Sequence, residues 1–338
     1  MHEYPRYSRT RETRVFAKPL YSWNKGGTSR VDQFLQTLKD AVTIGSLYAL
    51  IALGYTMVYG ILKFINFAHS DVVVLGAWIS LLTANKVLQL AGGEHAAPWV
   101  GPVVLVVAML ACGAISFTIE RLAYKPLRKA PRLNVLITAI GVSLFLQNTG
   151  QLSAFFGTSP RSIVPLLGDQ AVFSIGLVDV STVDIVGVGT AVVLMIVLEW
   201  LVFHTKLGRA MRAVSYDTRN AALMGVPVDR VISFTFVAGA MLAAAGGFLW
   251  ALRFVVIKQP ADTSWTLLGL KAFVAAVVGG IGNVRGAMLG GLAIGLLEMF
   301  GAAYLSSSYK DVYVFGLLII VLLVRPSGLL GKAIVEKV

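Results

Sequence analysis

The stretch Val278–Glu298, VGGIGNVRGAMLGGLAIGLLE, decides how this chain folds. Gly279, Gly280, Gly282, Gly286, Gly290, Gly291 and Gly295 fall within it, between two apolar runs. In water, glycine weakens a helix interior, because ordering it costs more backbone entropy than ordering alanine. In a bilayer the same spacing reads differently. Gly282, Gly286 and Gly290 lie four apart, as do Gly291 and Gly295, which predicts stripes where neighbouring helix backbones approach closely. The interruption GGIGNVRG, with Asn283 and Arg285, is tolerated at membrane depth only where protein buries it or water lines it. The segment is expected to be the packing hub of a helix bundle, the wall of a passage through it, or both.

Composition supports the bilayer. Of the 338 residues, 57% are hydrophobic and 14% charged, with a mean hydropathy of +0.76. Soluble domains carry about 25% charged residues. Ala41–Leu62, Ala96–Ile119, Leu133–Pro160 and Val231–Leu252 contain no Lys, Arg, Asp, Glu or His, and about twenty such residues suffice to span a membrane. The fold class is therefore all-α, a polytopic transmembrane helical bundle. The formal charge of +12 does not call for nucleic acid. Eight Lys/Arg precede Ala41, five lie in Arg121–Arg132, five in Lys206–Arg230 and three follow Val324. Clusters of this kind mark cytoplasmic segments of a membrane protein. Cys112, the lone cysteine, is expected to be a small buried thiol.

Residues 1–30, polar and arginine-rich, read as a disordered basic cytoplasmic tail, and residues 31–338 as the transmembrane domain. The tail has no apolar core, so the first hydrophobic helix is expected to direct insertion. After Ala41–Gly60 the sequence ILKFINFAHSD interrupts the apolar run with Lys63, Asn66, His69 and Asp71. Val72–Asn85 is then too short for a full span. If the tail and Arg121–Arg132 are both cytoplasmic, one of these first two segments must be re-entrant or half of a broken helix; the alternative is an external tail. About eight membrane-embedded segments are expected. The blocks 45–84 and 269–303 share an order of apolar helix, polar break and Gly-containing helix, the pattern of a possible inverted repeat.

Residues 204–230 form a polar connection between spans, read as a cytoplasmic loop. Asp217 or Thr218 can cap a helix running from Arg219 to Met224, ended by Gly225 and Pro227. Arg219 and Asn220 open it, and Leu223 and Met224 project from it. An ordinary surface turn would suffice to join two spans. A capped helix with apolar anchors in a polar rim instead suits docking into a partner's groove.

This connection, together with INFAHSD, AIGVSLFLQN at Ala139–Asn148 and GLKAFVAAVVGGIGNVRGAMLGG, resembles permease subunits of ABC importers for branched-chain amino acids. The resemblance runs from about Phe34 to the terminal VEKV and is greatest for the first of the two permeases in such systems; the 30-residue tail departs from the pattern. It implies a bacterial inner-membrane subunit paired with a second, homologous permease, two ABC ATPase subunits and a periplasmic substrate-binding protein. ATP would be bound by the partners, with no cofactor in this chain. Asp217, Arg219, Asn220, Leu223, Met224 and Gly225 would be the coupling helix that rests on an ATPase, and alternating access would move leucine, isoleucine or valine inward.

Candidates for the translocation path are Asn66, His69 and Asp71 in the first break, and Gly279, Gly280, Gly282, Asn283 and Gly286 in the second. Lys271 and Glu298 are expected to pair, and Glu199 to be structural. Arg285 could meet a substrate carboxylate. One His beside one Asp makes no metal site, and the sequence holds no phosphate-binding GxxxxGK[ST], GxSxG or HExxH. A transport subunit rather than an enzyme is the expectation. A urea or short-chain amide permease of the same architecture stays open, as does an ATP-independent channel or secondary transporter.

Overall fold

A helix without a charged residue from Ala41 to Leu62 has no face to give to water, and in the computed structural model of the protein the other helices enclose it. The structure describes residues 30–91, 97–128, 130–167, 171–175 and 178–331. Helix α1 (Arg30–Leu62) has 94% of its apolar window buried. Around it lie α2 (His69–Ala91), α3 (Val100–Ile119), α4 (Arg132–Gln151), α5 (Thr182–His204), α6 (Lys206–Tyr216), α7 (Thr218–Leu223), α8 (Val228–Phe254), α9 (Thr263–Gly279), α10 (Val284–Tyr304) and α11 (Lys310–Val324). A π-helical turn over Glu120–Tyr124 prolongs α3, and Pro126, which lacks an N–H, sits in the short 3-10 turn that follows. Among the described residues four short strands, β1 (Arg161–Ser162), β2 (Ala171–Ile175), β3 (Val178–Ser181) and β4 (Val256–Ile257), pair antiparallel as β1 with β4 and β2 with β3.

Among the described residues, eight helices are long and apolar enough to cross a membrane. The region Leu267–Phe300, which holds the glycine stretch, forms two antiparallel helices, α9 and α10, reversing at Gly280–Asn283. Gly280 (φ +106°) and Gly282 (φ +94°) take left-handed backbone that side chains rarely adopt, which is why the turn is glycine.

Glycine also sets the depth of packing. A Cβ on Gly291 would overlap the Ala49 backbone, and one on Gly295 would overlap Gly45 and the Ala41 carbonyl. These contacts seat α10 along α1. Gly290 lies against the Ala275 carbonyl, and Gly279 against Gly286, which closes α9 on α10. The same device joins α2 to α8 through Gly76 with Ala244 and Gly247 with Val73. The first of the two roles expected for the glycine stretch, a packing hub, is what these contacts amount to.

Partner contacts give each helix a direction. At one end of the bundle lie the end of α1, the turn after α3, α6 and α7, and the turn from α9 to α10. Gly60 faces Gly282 there, and Ser215 donates to the Gly60 carbonyl at 2.6 Å. At the other end, Arg253 of α8 holds Asp40 of α1 at 2.9 Å and Asp184 of α5 at 2.5 Å, while Lys39 lies 3.3 Å from Asp184. Ser181 caps α5 reciprocally with Asp184. A buried carboxylate with two cations and a cap is satisfied; Asp184 stands at the crossing of three helices.

Two expectations need correction. Neither of the first two apolar segments is re-entrant. The run Val72–Asn85 is the core of a 23-residue helix, because His69, Ser70 and Asp71 extend it at one end and Lys86–Ala91 at the other. Three helices therefore separate the start of α1 from Glu120–Leu127, and the two lie at opposite ends of the bundle. Residues 1–29, for which a cytoplasmic tail is expected, lie outside the described residues. The α1–α2 and α9–α10 hairpins also turn at the same end, so blocks 45–84 and 269–303 are not an inverted pair.

The glycine contacts make a clean prediction. Gly291→Ala adds one methyl against the Ala49 backbone and should destabilise the bundle by about 1–3 kcal/mol, the usual cost of overpacking. Gly316→Ala, with nothing within 4 Å of the new atom, should be neutral. Melting of the detergent-solubilised protein, followed by size-exclusion fluorescence, checks the difference.

Candidate functional site

Residues 205–227 are built by capping. Thr205 opens α6 by accepting from the Gly208 N–H at 3.0 Å. Leu207, Ala210, Met211 and Val214 recur at helical spacing, so α6 lays an apolar stripe on the bundle and leaves its polar face outward. Arg212 fastens it by donating to the Val202 carbonyl at 2.9 Å. Asp217 then caps α7. Its Oδ1 accepts from the backbone of Arg219 at 2.8 Å and Asn220 at 3.0 Å, and its Oδ2 from the Asn220 side chain at 2.7 Å. Gly225, at φ +80°, ends the helix in left-handed backbone.

Only Ala221 of α7 is buried. Leu223 is 77% exposed, Met224 85% and Tyr216, just before the cap, 95%. Three large apolar side chains on one polar end of a membrane protein form a surface that asks for a partner. The sequence-predicted helix is thus present, one residue earlier than read, at Thr218–Leu223. Tyr216 and the whole of α6 escaped the sequence reading, although the apolar spacing over 207–214 was there to be read.

The connection is wired into the bundle at both ends. On the far side of α7, Asp229 in the first turn of α8 lies 2.5 Å from Arg128 and 3.0 Å from Lys125. Arg128 also pairs with Glu120, which is fully buried and accepts from the Ser233 hydroxyl at 2.7 Å. Glu120 is thereby locked between α3 and α8. Neither it nor Asp229 stood out in the sequence, since a carboxylate beside basic residues looks like an ordinary loop.

The first break, residues 63–68, starts at the exposed Lys63 and turns inward, burying Asn66 and Ala68. Asn66 Oδ1 accepts from the Ala68 N–H at 3.2 Å and from the Tyr124 hydroxyl at 2.7 Å. His69 opens α2, 3.3 Å from the Ile51 carbonyl and 4.4 Å, centroid to centroid, from the Tyr55 ring. Its ring fills the space where Gly54 of α1 has no side chain, and on that same residue the Gly239 carbonyl of α8 closes in. Asp71, in the same first turn, accepts from Gln147 of α4 at 2.8 Å. In the second break, Asn283 caps α10 by accepting from the Gly286 N–H at 3.2 Å and donates to the Leu330 carbonyl at 2.8 Å. The end of α1, just before the first break, meets the second break where Gly60 faces Gly282.

A scan against family profiles matches residues 37–322 to "Branched-chain amino acid transport system / permease component". The chain is 42% identical over 308 residues to the high-affinity branched-chain amino acid transport system permease protein BraD of Pseudomonas aeruginosa, covering 90% of this chain and 98% of that one. It is 42% identical over 315 residues to LivH of Escherichia coli, a permease protein of the same description, with the same coverage. A probable LivH of Methanocaldococcus jannaschii is 30% identical over 310 residues. The chain belongs to this permease family.

As a permease, it holds its remaining membrane charges in pairs. Lys271 of α9 lies 2.7 Å from Glu298 of α10 and 2.6 Å from Asp311 of α11, and the Tyr48 hydroxyl donates to Glu298 at 2.7 Å. The expected Lys271–Glu298 pair is real, with α1 and α11 joined to it. Arg285 pairs with Glu199 at 2.7 Å and sits over the Phe203 ring, so its cation is already matched. Among the described residues no group of His, Cys, Asp and Glu could hold a metal ion. Just before α9, Asp262 caps the helix, and the hydrogen bond from the Ser264 side chain holds its carboxyl below the ordinary carboxylate range.

Lys271→Met would leave Glu298 and Asp311 facing each other without a cation. It should cost about 3–5 kcal/mol, as breaking buried pairs does, and adding Glu298→Gln should recover part of the loss. Thermal melts of the single and double variants in detergent read both effects.

Proposed function

We propose that this chain is the membrane-spanning subunit of an ABC importer that carries leucine, isoleucine, valine or similar apolar amino acids into the cytoplasm. The single observation that carries it is the identity of 42% over nine-tenths of the chain to permeases named for that transport. The subunit resides in the bacterial inner membrane, with the α6–α7 end towards the cytoplasm. Its partners are a second, homologous permease, two ABC ATPases that bind and hydrolyse ATP, and a periplasmic binding protein that delivers the substrate. The excess of Lys and Arg in Arg121–Arg132 and Lys206–Arg230 supports that orientation.

In this mechanism α7 is the coupling helix. Asp217 shapes its start and Gly225 its end; Arg219 and Asn220 form its polar rim; Leu223 and Met224, joined by Tyr216, enter a groove of the ATPase. When the ATPases close, the push on α7 reaches α5 and α1 through α6, by Arg212 and Ser215. It reaches α3 through α8, by Asp229, Arg128 and Glu120. Rigid-body tilting of those spans then exposes the path alternately to the two sides. That path runs by Asn66, His69 and Asp71 at the first break and by Gly279, Gly280, Gly282, Asn283 and Gly286 at the second, and opens between this permease and its homologue.

Leu223→Asp or Gly225→Pro should abolish ATP-driven leucine uptake while membrane insertion stays normal. Uptake measured with labelled leucine, beside an immunoblot of the membrane fraction, tests this. Full uptake by a correctly inserted variant would remove α7 from the coupling role, because a carrier that needs no ATP has no use for a docking helix.

A further inference from the structure

Four acidic residues are buried among the described residues: Asp71, Glu120, Asp184 and Glu298. Three of them face a cation. Glu120 has Arg128, Asp184 has Lys39 and Arg253, and Glu298 has Lys271. Asp71 is the exception. It is 4% exposed, its Oδ1 accepts from the Gln147 amide, and its buried Oδ2 has no hydrogen-bond partner among the described residues. His69, two residues earlier in the same turn, places its Nε2 3.3 Å from the Ile51 carbonyl. An unmatched carboxylate oxygen far from water is costly, and in membrane proteins such groups belong to substrate or ion pathways.

The position is informative as well. Asp71 lies in the first turn of α2, just past the internal break, at the level where α2 passes the middle of α8. Opposite it is α4, whose apolar window is only 17% buried, so little packing holds that helix in place. Gln147 is the polar tie between the two, and it also donates to Ser143 at 3.3 Å. Carboxylate, amide and hydroxyl together offer three oxygen acceptors, and an alkylammonium group has three N–H donors.

We propose that Asp71, with Gln147 and Ser143, is a transient binding site for the ammonium group of the zwitterionic cargo, formed between α2 and α4 as α4 moves outward. The proposal rests on amino-acid import as the function. The apolar tail of the cargo needs no equivalent, since it carries no charge or hydrogen-bonding group to satisfy on leaving water. The ammonium does, because it leaves water as a full charge and Asp71 is the buried acid without a cation of its own.

The test uses the assembled transporter in proteoliposomes with its binding protein, reading labelled leucine uptake and ATP hydrolysis together. Asp71→Asn should lower uptake at least thirty-fold while substrate-loaded binding protein still stimulates hydrolysis. Asp71→Asn with Gln147→Glu moves the carboxylate across the same contact and should restore at least a third of wild-type uptake. Asp71→Asn uptake within threefold of wild type would overturn the site. So would a swap variant that inserts and hydrolyses ATP yet transports no better than Asp71→Asn. If Asp71→Asn alone fails to assemble, the swap decides in the same way. Absence of leucine uptake by the wild-type complex would instead refute amino-acid import itself.

Discussion

Contact of helix backbones without intervening side chains is the constraint on which this protein rests. In a bilayer no hydrophobic effect pulls apolar helices together, since lipid tails are as apolar as leucine, and close van der Waals packing must do it. Gly291 on Ala49, Gly295 on Gly45, Gly290 on Ala275 and Gly247 on Val73 each bring two main chains nearer than any Cβ would allow. α1 can be enclosed closely because α10, at Gly291 and Gly295, and α8, at Gly239 and Gly246, carry glycine where they touch it. The same absence of a side chain at Gly54 makes room for the His69 ring, where the chain returns into the bundle as α2.

Onto that apolar frame the chain adds charged clasps; besides the Arg285–Glu199 pair of α10 and α5, three larger ones lie at different heights. Lys39, Asp40, Asp184 and Arg253 tie α1, α5 and α8 at one end. Tyr48, Lys271, Glu298 and Asp311 tie α1, α9, α10 and α11 within the bundle. Glu120, Lys125, Arg128 and Asp229 tie α3 to α8 at the end that carries α6 and α7. A buried pair adds little net stability over apolar residues of the same size, but it defines which helices move together. The third clasp begins two residues after Pro227, so a force on α7 meets a rigid connection rather than a loop.

The fold class was legible because four uncharged runs of membrane length admit no other structure, and the glycine spacing named the hub. Lys271 with Glu298 was legible as two charges of opposite sign in one apolar block. The direction of α1 was not. Its basic tail suggested a cytoplasmic start, whereas the contacts of Lys39 and Asp40 with Asp184 and Arg253 put that start opposite to Glu120–Leu127. Long-range partners decide such matters, and composition carries none of them. Val72–Asn85 looked short for the same reason. Asp71 is polar by type but buried by position, Ser70 is half-buried, and the helix continues through both. The α7 cap could be read because Asp217, Gly225 and Pro227 act on their own backbone within a few residues. Asp229 and Glu120 could not, because their partner Arg128 is joined to them only by the fold.

Import of branched-chain amino acids driven by ATP is tested most directly by uptake of labelled leucine in cells lacking their own importers, with this chain expressed beside its neighbouring genes. Isoleucine, valine and urea serve as competitors, and the measurement is repeated with the partner ATPase inactivated. The expected result is leucine uptake that isoleucine and valine block, urea does not, and ATPase inactivation abolishes. Leucine uptake that survives loss of the ATPase, or urea transport without leucine transport, would contradict it.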